Sequence, residues 1–288
     1  MLVRTAQIVS LLKLRISVAI AASAIAGMAA TKGPALSFGQ AVLFALAVLG
    51  GSGAAGAFNH YYERDIDTQM TRTRRRPFAA GELNAGAWWL MSFGALLVGS
   101  LALAGATGGV VAAFYVFLGA FTYGVVYTVW MKRRTVWNIV VGGLAGSFAV
   151  LAGAAAVDPA PQIVPFLLAV VLFLWTPPHF WSLAAARRDD YAAARVPMLP
   201  IVAPDRTWTL AILLHAVALF ALSLIPLAFG MGPIYGAAAA GGGGYFAWRS
   251  WQLFRLPSRN AAMENFKASL LQLSLLIMGV VADAAVGS

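Results

Sequence analysis

The sequence predicts an all-α integral membrane protein, and three observations lead to that prediction. Hydrophobic residues make up 61% of the 288-residue chain and charged residues only 10%, whereas globular domains are usually about one quarter charged. The mean hydropathy is +0.80. The apolar residues also fall into stretches close to the roughly 20 residues that a membrane-spanning helix needs. Cysteine is absent, which excludes disulfides, thiolate metal sites and cysteine nucleophiles.

Nine such stretches follow one another, which predicts nine transmembrane helices in a single domain, residues 1–288. The predicted spans are 16–31, 38–58, 86–106, 109–130, 136–157, 162–184, 207–228, 231–250 and 266–285. Glycine-rich joints at 105–109 and 230–233 indicate tight hairpins between neighbouring helices. The first span is short and the eighth contains Gly241 to Gly244, so these two have the weakest apolar signal.

The basic residues predict the orientation of the bundle. With the N-terminus in the cytoplasm, all 20 lysines and arginines except Lys32 fall on cytoplasmic segments, Arg4 included. Cytoplasmic loops of membrane proteins are enriched in these residues, so the net charge of +10 is explained without a nucleic-acid partner. No Arg/Ser-rich transit segment precedes the first span. We therefore expect a multi-pass protein in the lipid bilayer of a bacterial cell inner (plasma) membrane.

Five of the ten acidic residues fall in two short clusters, each at the end of an apolar stretch and beside arginines. The first cluster is Glu63, Asp65 and Asp67, and the second is Asp189 and Asp190. Ionisable residues in such a chain are candidates for function. Two like charges roughly 4 Å apart repel by about 4 kcal/mol at an effective dielectric near 20. A divalent cation relieves that repulsion, and oxygen ligands with phosphates nearby suit Mg²⁺.

The first cluster has helical spacing. Asn59, Glu63 and Asp67 are four residues apart, so they share one face if the second helix continues past the membrane boundary. Asp65 then points elsewhere. One amide and two carboxylates on one face supply oxygen ligands for Mg²⁺. The arginines at 72–76 can bind phosphate bidentately, although such a run is equally a topology signal.

The second cluster follows the sixth predicted helix. Pro177 and Pro178 are expected to kink or break that helix. If a helix resumes afterwards, His179 and Asp190 are eleven residues apart and share a face. Both acidic clusters lie on the cytoplasmic side of the predicted topology, which predicts a Mg²⁺–diphosphate site between two helical bundles. A histidine on this apolar segment is also consistent with a hydrogen-bonded core residue.

These motifs resemble those of a known family. Asn-x-x-x-Glu-x-Asp-x-Asp at 59–67, followed by Met-x-Arg-Thr-x-x-Arg-Pro at 70–77, resembles the first motif of the UbiA superfamily of membrane prenyltransferases. Within it, three further stretches are similar to the haem-farnesylating members. They are Tyr-Thr-x-Trp-x-Lys-Arg-Arg-Thr at 127–135, Trp-Thr-Pro-Pro-His-Phe-Trp at 175–181 and Asp-Asp-Tyr at 189–191. Two departures stand out. Glutamate occupies position 63, where bacterial members usually have aspartate, and Lys13-Leu14-Arg15 stands where the family has Lys-Pro-Arg.

The resemblance implies an enzyme that transfers a farnesyl group from farnesyl diphosphate to a vinyl group of haem B, giving haem O for terminal oxidases. The implied catalytic residues and Mg²⁺ ligands are Asn59, Glu63, Asp67, Asp189 and Asp190. The implied substrate-binding residues are Arg72, Arg76, Tyr127, Lys132, Arg133 and His179. The role of His179 stays open between orienting haem B, contacting its propionates and ligating its iron. Haem A synthase and terminal oxidase assembly factors are candidate protein partners.

Two other functions remain open from the sequence. One is a UbiA-type enzyme that prenylates a quinone precursor or a chlorin. The other is a small-molecule transporter, although transporters tend to place ionisable residues near the bilayer midplane. Here the acidic residues are predicted at one face of the membrane, which favours the enzyme.

Overall fold

The computed structural model describes residues 2–287, so Met1, Ser288 and the side chains of residues 2–5, Arg4 among them, lie outside the described part. The described residues form α-helices joined by turns, with no β-strand among them. A π-helical segment, Thr122–Met131, continues α5, and a 3₁₀ segment, Ile225–Phe229, continues α11. The helices are α1 Leu2–Leu11, α2 Leu14–Ala29, α3 Phe38–Tyr62, α4 Arg64–Asp67, α5 Ala87–Phe121, α6 Asn138–Gly142, α7 Leu144–Val157, α8 Ile163–Ala186, α9 Arg188–Ala193, α10 Leu199–Val202, α11 Asp205–Leu224, α12 Pro233–Arg255 and α13 Arg259–Gly287.

Six helical stretches of residues 2–287 are long and apolar enough to cross a membrane. They are Phe38–Tyr62, Ala87–Met131, Asn138–Val157, Ile163–Ala186, Asp205–Phe229 and Arg259–Gly287. The first and eighth predicted spans correspond to α2 and α12, which are not among the six. The helix α2 has only 16 residues, and α12 carries the four consecutive glycines, which make it less apolar.

The stretch Ala87–Met131 is a hairpin rather than one long helix. Gly109 has φ +84° and ψ 170°, a backbone conformation that glycine adopts without steric cost. A Cβ atom placed on Gly105 would lie 3.8 Å from the Cβ of Ala113, whereas residues eight apart in a straight helix are about 12 Å apart. The hairpin predicted at 105–109 is therefore confirmed.

For the sixth predicted helix, a break at the prolines and a face shared by His179 and Asp190 are both wrong. The helix α8 is not broken at Pro177 or Pro178, and both prolines are buried. Neighbouring helices can satisfy the backbone groups that a proline frees inside a membrane bundle. The helix ends instead at Ala186, because the φ of −118° and ψ of 37° of Arg187 are not helical, and α9 begins at Arg188. His179 and Asp190 therefore do not lie on one continuous helix face.

An apolar cluster joins the two acidic loops at one end of the bundle. It includes Ile66 and Met70 from the first loop, Tyr191 and Val196 from the second, and Leu253 near the end of α12. Burying apolar surface in common holds these separate chain segments together. The two acidic clusters therefore lie at the same end.

The other end of the bundle is where Lys32 lies. It follows the C-terminus of α2, and its backbone N–H donates to Gln162 Oε1 at 2.9 Å. Gln162 also donates to Asp158 at 2.9 Å, directly before α8 begins. Since α8 ends next to the acidic clusters, Lys32 is at the opposite end of the bundle. It is the one basic residue that the topology prediction places outside the cytoplasmic segments.

Candidate active site

Asn59, Glu63 and Asp67 lie along one buried face. Glu63 follows the last residue of α3, and the hydrogen bonds Glu63 N–H to Asn59 O and Asp67 N–H to Glu63 O, both 2.9 Å, carry the helical spacing into α4. The three residues are 1%, 0% and 2% exposed, whereas the side chain of Asp65 is 59% exposed. The local helix geometry thus separates Asp65 from the other three.

Each of these three buried side chains is paired with a basic side chain. Buried carboxylates need such partners because an uncompensated buried charge is strongly destabilising. The pairs are Lys13 Nζ to Asn59 Oδ1 at 2.5 Å, Lys132 Nζ to Glu63 Oε2 at 2.5 Å, and Arg76 Nη1 to Asp67 Oδ2 at 2.7 Å and Oδ1 at 2.9 Å. Three cationic groups therefore surround three side chains whose oxygens could bind a metal ion.

The π-helical segment Thr122–Met131 positions Lys132. Hydrogen bonds in a π-helix join residues five apart, and the N–H of Lys132 donates to Tyr127 O at 2.8 Å. This register brings Lys132 Nζ to 5.7 Å from the centre of the Tyr127 ring while it reaches Glu63. Short π-helical segments often occur at functional sites.

Three site residues were missed from the sequence: Lys13, Tyr123 and Thr128. Lys13 lies between α1 and α2 with φ +47°, and its Nζ also donates to the Tyr123 hydroxyl at 2.8 Å. Thr128 Oγ1 accepts from Asn59 Nδ2 at 3.0 Å. Burial and the nearby Arg76 lower the pKa of Lys13. The sequence held one signal for Lys13, its place in the Lys13-Leu14-Arg15 stretch directly before an apolar span.

Glu63 has an oxygen available for a further ligand. Burial raises the pKa of its carboxyl, but Lys132 and Lys13 outweigh burial, so the pKa lies below the ordinary value. Glu63 Oε1 is buried and has no hydrogen-bond partner, which is rare for an ionised group. Together with Asn59 Oδ1 and the Asp67 carboxylate, it forms a set of oxygen donors that fits Mg²⁺.

The second acidic cluster meets the first loop through Asp190. Its Oδ1 accepts a hydrogen bond from the backbone N–H of Thr71 at 2.9 Å. Asp189 instead pairs with Arg259 at the start of α13, at 2.7 Å, and both side chains are largely exposed. The structure therefore brings the clusters together and gives the two aspartates different surroundings.

Within residues 2–287, no three His, Asp or Glu side chains lie close enough to one another to hold a metal ion by themselves. The donor set that the structure assembles depends on the amide of Asn59. Its carboxylates are occupied by Arg76 and Lys132. A cation that entered could bind Glu63 Oε1 directly, but at Asn59 Oδ1 and at the Asp67 carboxylate it would have to replace Lys13 and Arg76.

The remaining predicted basic residues lie at the rim of the site. Arg133 binds Asp65 through two hydrogen bonds of 2.7 and 2.6 Å, which lower the pKa of that carboxyl. Its guanidinium lies 5.4 Å from the ring centre of Tyr62. Arg72 is exposed and forms no ion pair with any residue that the structure describes.

His179 lies within α8, where it is 6% exposed. Its ring stacks on Trp175 with 4.1 Å between ring centres and on Phe266 with 4.6 Å. Phe180 meets it edge-on at 4.9 Å, and His179 Nδ1 is 2.7 Å from Ser269 Oγ. These contacts place His179 apart from the paired carboxylates.

The sequence profile of the UbiA prenyltransferase family matches residues 20–276. The chain belongs to this family. It is 56% identical over 274 residues to Protoheme IX farnesyltransferase 2 of Paramagnetospirillum magneticum, with 95% of each chain covered. It is 46% identical over 280 residues to Protoheme IX farnesyltransferase 1 of the same organism, covering 96% of this chain and 98% of the relative.

Solved UbiA structures have the same fold. A digeranylgeranylglyceryl phosphate synthase superposes with a TM-score of 0.79 at 15% identity, covering 97% of this chain and 98% of that one. A UbiA homologue from Archaeoglobus fulgidus bound to GPP and Mg²⁺ superposes with a TM-score of 0.72 at 16% identity, covering 96% and 99%. The all-helical UbiA fold predicted for this chain is therefore confirmed.

Proposed function

We propose that this protein transfers a farnesyl group from farnesyl diphosphate to a vinyl group of haem B, giving haem O for terminal oxidases. The observation that carries the proposal is the set of three buried oxygen donors, each paired with a basic side chain, where the two acidic loops meet. Two full-length relatives named protoheme IX farnesyltransferase support haem as the acceptor.

Asn59, Glu63 and Asp67 would hold Mg²⁺, with Asp190 as the nearer aspartate of the second loop. Asp190 contacts the first loop, whereas Asp189 pairs with Arg259. Bound Mg²⁺ would supply Lewis-acid neutralisation of the diphosphate leaving group. The proposal therefore assigns the metal-facing role in the second cluster to Asp190.

The basic partners then have a second task. Lys13, Lys132 and Arg76 already lie within hydrogen-bond distance of the donor oxygens, so they can turn to diphosphate oxygens when those donors are taken. Placed donors aimed at developing negative charge stabilise a transition state. Arg72, exposed on the first loop, and Arg133 add positive charge at the rim. These three side chains would therefore pair with the site's own oxygens in the free protein and with the diphosphate when substrate is bound.

The transfer step separates charge. The C–O bond of farnesyl diphosphate breaks, and its electron pair leaves with the diphosphate. The rings of Tyr123 and Tyr127 stack with 5.8 Å between centres beside Lys132, and aromatic faces stabilise a cation such as the resulting allylic one. The haem vinyl group attacks that cation. Water then adds to the new cationic carbon and a proton is released, which leaves the hydroxyl group.

We propose that the chain is one domain with nine membrane crossings, a cytoplasmic N-terminus and a cytoplasmic active site in the bacterial inner membrane. The reversal at Gly109 supports counting Ala87–Met131 as two crossings. Lys32, at the opposite end from the acidic loops, supports the orientation under the positive-inside rule. Haem A synthase and terminal oxidase assembly factors are the proposed protein partners.

The test compares Asp67→Asn with Asp65→Asn in purified protein. Asp67 is buried beside Arg76, whereas Asp65 is exposed two residues away, so the second variant is a matched control. We expect the Asp67 variant to lose at least about 100-fold in haem O formation, the scale of losing one stabilising group in a charged transition state. The control should stay near wild type. A normal rate for the Asp67 variant would overturn the assignment.

The same assay separates the other functions. Parallel reactions supply haem B, a hydroxybenzoate or a chlorin as the acceptor. Mass spectrometry then shows which of them yields a prenylated product, which is haem O in the case of haem B. Mg²⁺-dependent release of diphosphate distinguishes an enzyme from a transporter, because transport leaves the diphosphate ester intact.

A further inference from the structure

The hydrogen bonds of Ser269 determine which nitrogen of His179 carries the proton. Ser269 Oγ lies 2.6 Å from the carbonyl oxygen of Phe266, and a carbonyl can only accept, so the serine hydroxyl donates there. The same Oγ is 2.7 Å from His179 Nδ1. Because the serine proton is already used, Nδ1–H must be the donor in that contact. The imidazole is therefore the Nδ1–H tautomer, with a lone pair on Nε2.

His179 is neutral in this setting. The groups around its ring are Trp175, Phe180, Phe266 and Ser269, and none of these carries a negative charge. A protonated ring would be a buried cation without a partner, which costs far more than a neutral imidazole. The two stacked aromatic rings also hold its plane in one orientation.

Nε2 is left without a partner and is accessible. It makes no hydrogen bond with the residues that the structure describes. Unlike the fully buried unpartnered atoms among those residues, it keeps some accessible surface. Gln272 lies on the same face of α13 as Ser269, three residues on. It is 1% exposed, and both polar atoms of its amide lack partners. Unpaired buried polar groups are rare, so this region has unused capacity for a polar ligand.

The region adjoins the proposed diphosphate site. Phe180, which contacts the His179 ring, packs against the same apolar cluster as Tyr127. Tyr127 in turn lies beside Lys132. An acceptor held at His179 would therefore be separated from the diphosphate-binding residues by apolar and aromatic side chains.

We propose that His179 Nε2 is an axial ligand to the iron of the haem acceptor, with Ser269 as its positioning residue. This inference rests on the proposed function. An Nε2 lone pair suits iron, and the hydrogen bond at Nδ1 is the arrangement that orients metal-binding histidines. A propionate would need a donor, and an unprotonated Nε2 cannot donate. The structure thus favours iron ligation over the propionate alternative.

The experiment titrates the purified protein in detergent with ferric haem B and, separately, with metal-free protoporphyrin IX. The variants are His179→Phe, which retains an aromatic ring between Trp175 and Phe266, and Ser269→Ala. Absorption and electron paramagnetic resonance spectra report the iron ligand, so the readout does not depend on activity. Binding of farnesyl diphosphate serves as the check that each variant is folded.

Wild type should show a histidine-ligated haem, and His179→Phe should lose that signature together with at least 10-fold in haem B affinity. Ser269→Ala should weaken haem B binding roughly 10- to 100-fold, the usual effect of removing a partner of a metal ligand. Binding of protoporphyrin IX, which lacks iron, should be unchanged in both variants.

Two results would overturn the assignment. One is an unchanged iron signature in His179→Phe or, should that variant not fold, an unchanged haem B affinity in Ser269→Ala. The other is an equal loss of haem B and protoporphyrin IX, which would indicate packing or propionate contact. If wild type neither binds nor farnesylates haem B, the proposed function itself fails, and this outcome is distinct from the other two.

Discussion

The buried pair of Glu63 and Lys132 predicts a double-mutant experiment in which stability and activity separate. Lys132→Met leaves both oxygens of Glu63 unpartnered, because Oε1 already has no partner. Removing one member of a buried ion pair costs about 3–5 kcal/mol. At roughly 2 °C per kcal/mol for a chain of this size, the melting temperature should fall by roughly 6–10 °C.

Replacing both partners should restore most of that loss. An apolar pair of similar volume is often as stable as the buried ion pair it replaces. The Glu63→Met/Lys132→Met protein should therefore melt within a few degrees of wild type. It should still be inactive, because it lacks both an oxygen donor and a diphosphate-facing cation. Thermal unfolding by circular dichroism in detergent and Mg²⁺-dependent diphosphate release provide the two measurements.

The exposed pair of Asp65 and Arg133 is the control. Its side chains are 59% and 34% exposed, and exposed ion pairs contribute about 0–1 kcal/mol, so Arg133→Met should shift the melting temperature by no more than about 2 °C. If Lys132→Met shifts it no further than Arg133→Met, burial does not set the energetics. If the double variant loses as much melting temperature as Glu63→Met alone and Lys132→Met alone added together, Glu63 and Lys132 are not coupled. That result would refute the reasoning.

Three further predictions concern single positions. Asp190→Asn should reduce turnover much more than Asp189→Asn, because only Asp190 reaches the first loop; steady-state rates of the two purified variants decide this. Asp283→Ala should cost about 1–2 kcal/mol, the value of a helix N-cap, and leave turnover unchanged, because Asp283 accepts the Gly232 N–H at 2.6 Å at the start of α12. Despite burial, basic neighbours lower the pKa of Glu63, so its pairing stabilises the protein above the unfolded pKa of about 4.3 and is lost as the pH falls further. As the pH falls below about 5, the melting temperature of the double Met variant should therefore decline less than that of wild type.

Most of the helical architecture could be predicted because apolar length alone specifies it. Each of the nine predicted spans overlaps a helix, and the glycine-rich joint correctly indicated the reversal at Gly109. The uninterrupted course of α8 through Pro177 and Pro178 could not be predicted, because local propensity favours a break. Contacts with neighbouring helices decide the outcome there, and these are not written in the local sequence.

The candidate site divides in the same way. The spacing of Asn59, Glu63 and Asp67 follows from helix geometry, and the structure retains it. Lys13 reaches Asn59 across 46 positions of sequence from a left-handed backbone conformation, which no local pattern indicates. The π-helical register that brings Lys132 to Glu63 likewise depends on packing against α3.

The glutamate at position 63 changes how the first loop is held rather than its charge. With Oε2 the side chain reaches Lys132 Nζ at 2.5 Å, while Oε1 stays without a partner. An aspartate would be shorter by one carbon–carbon bond, about 1.5 Å, so the same contact would stretch to about 4 Å unless the backbone moved. The longer side chain therefore lets one carboxylate do two things at once. It ties the loop after the π-helical segment to the end of α3, and it leaves an oxygen for a metal ion.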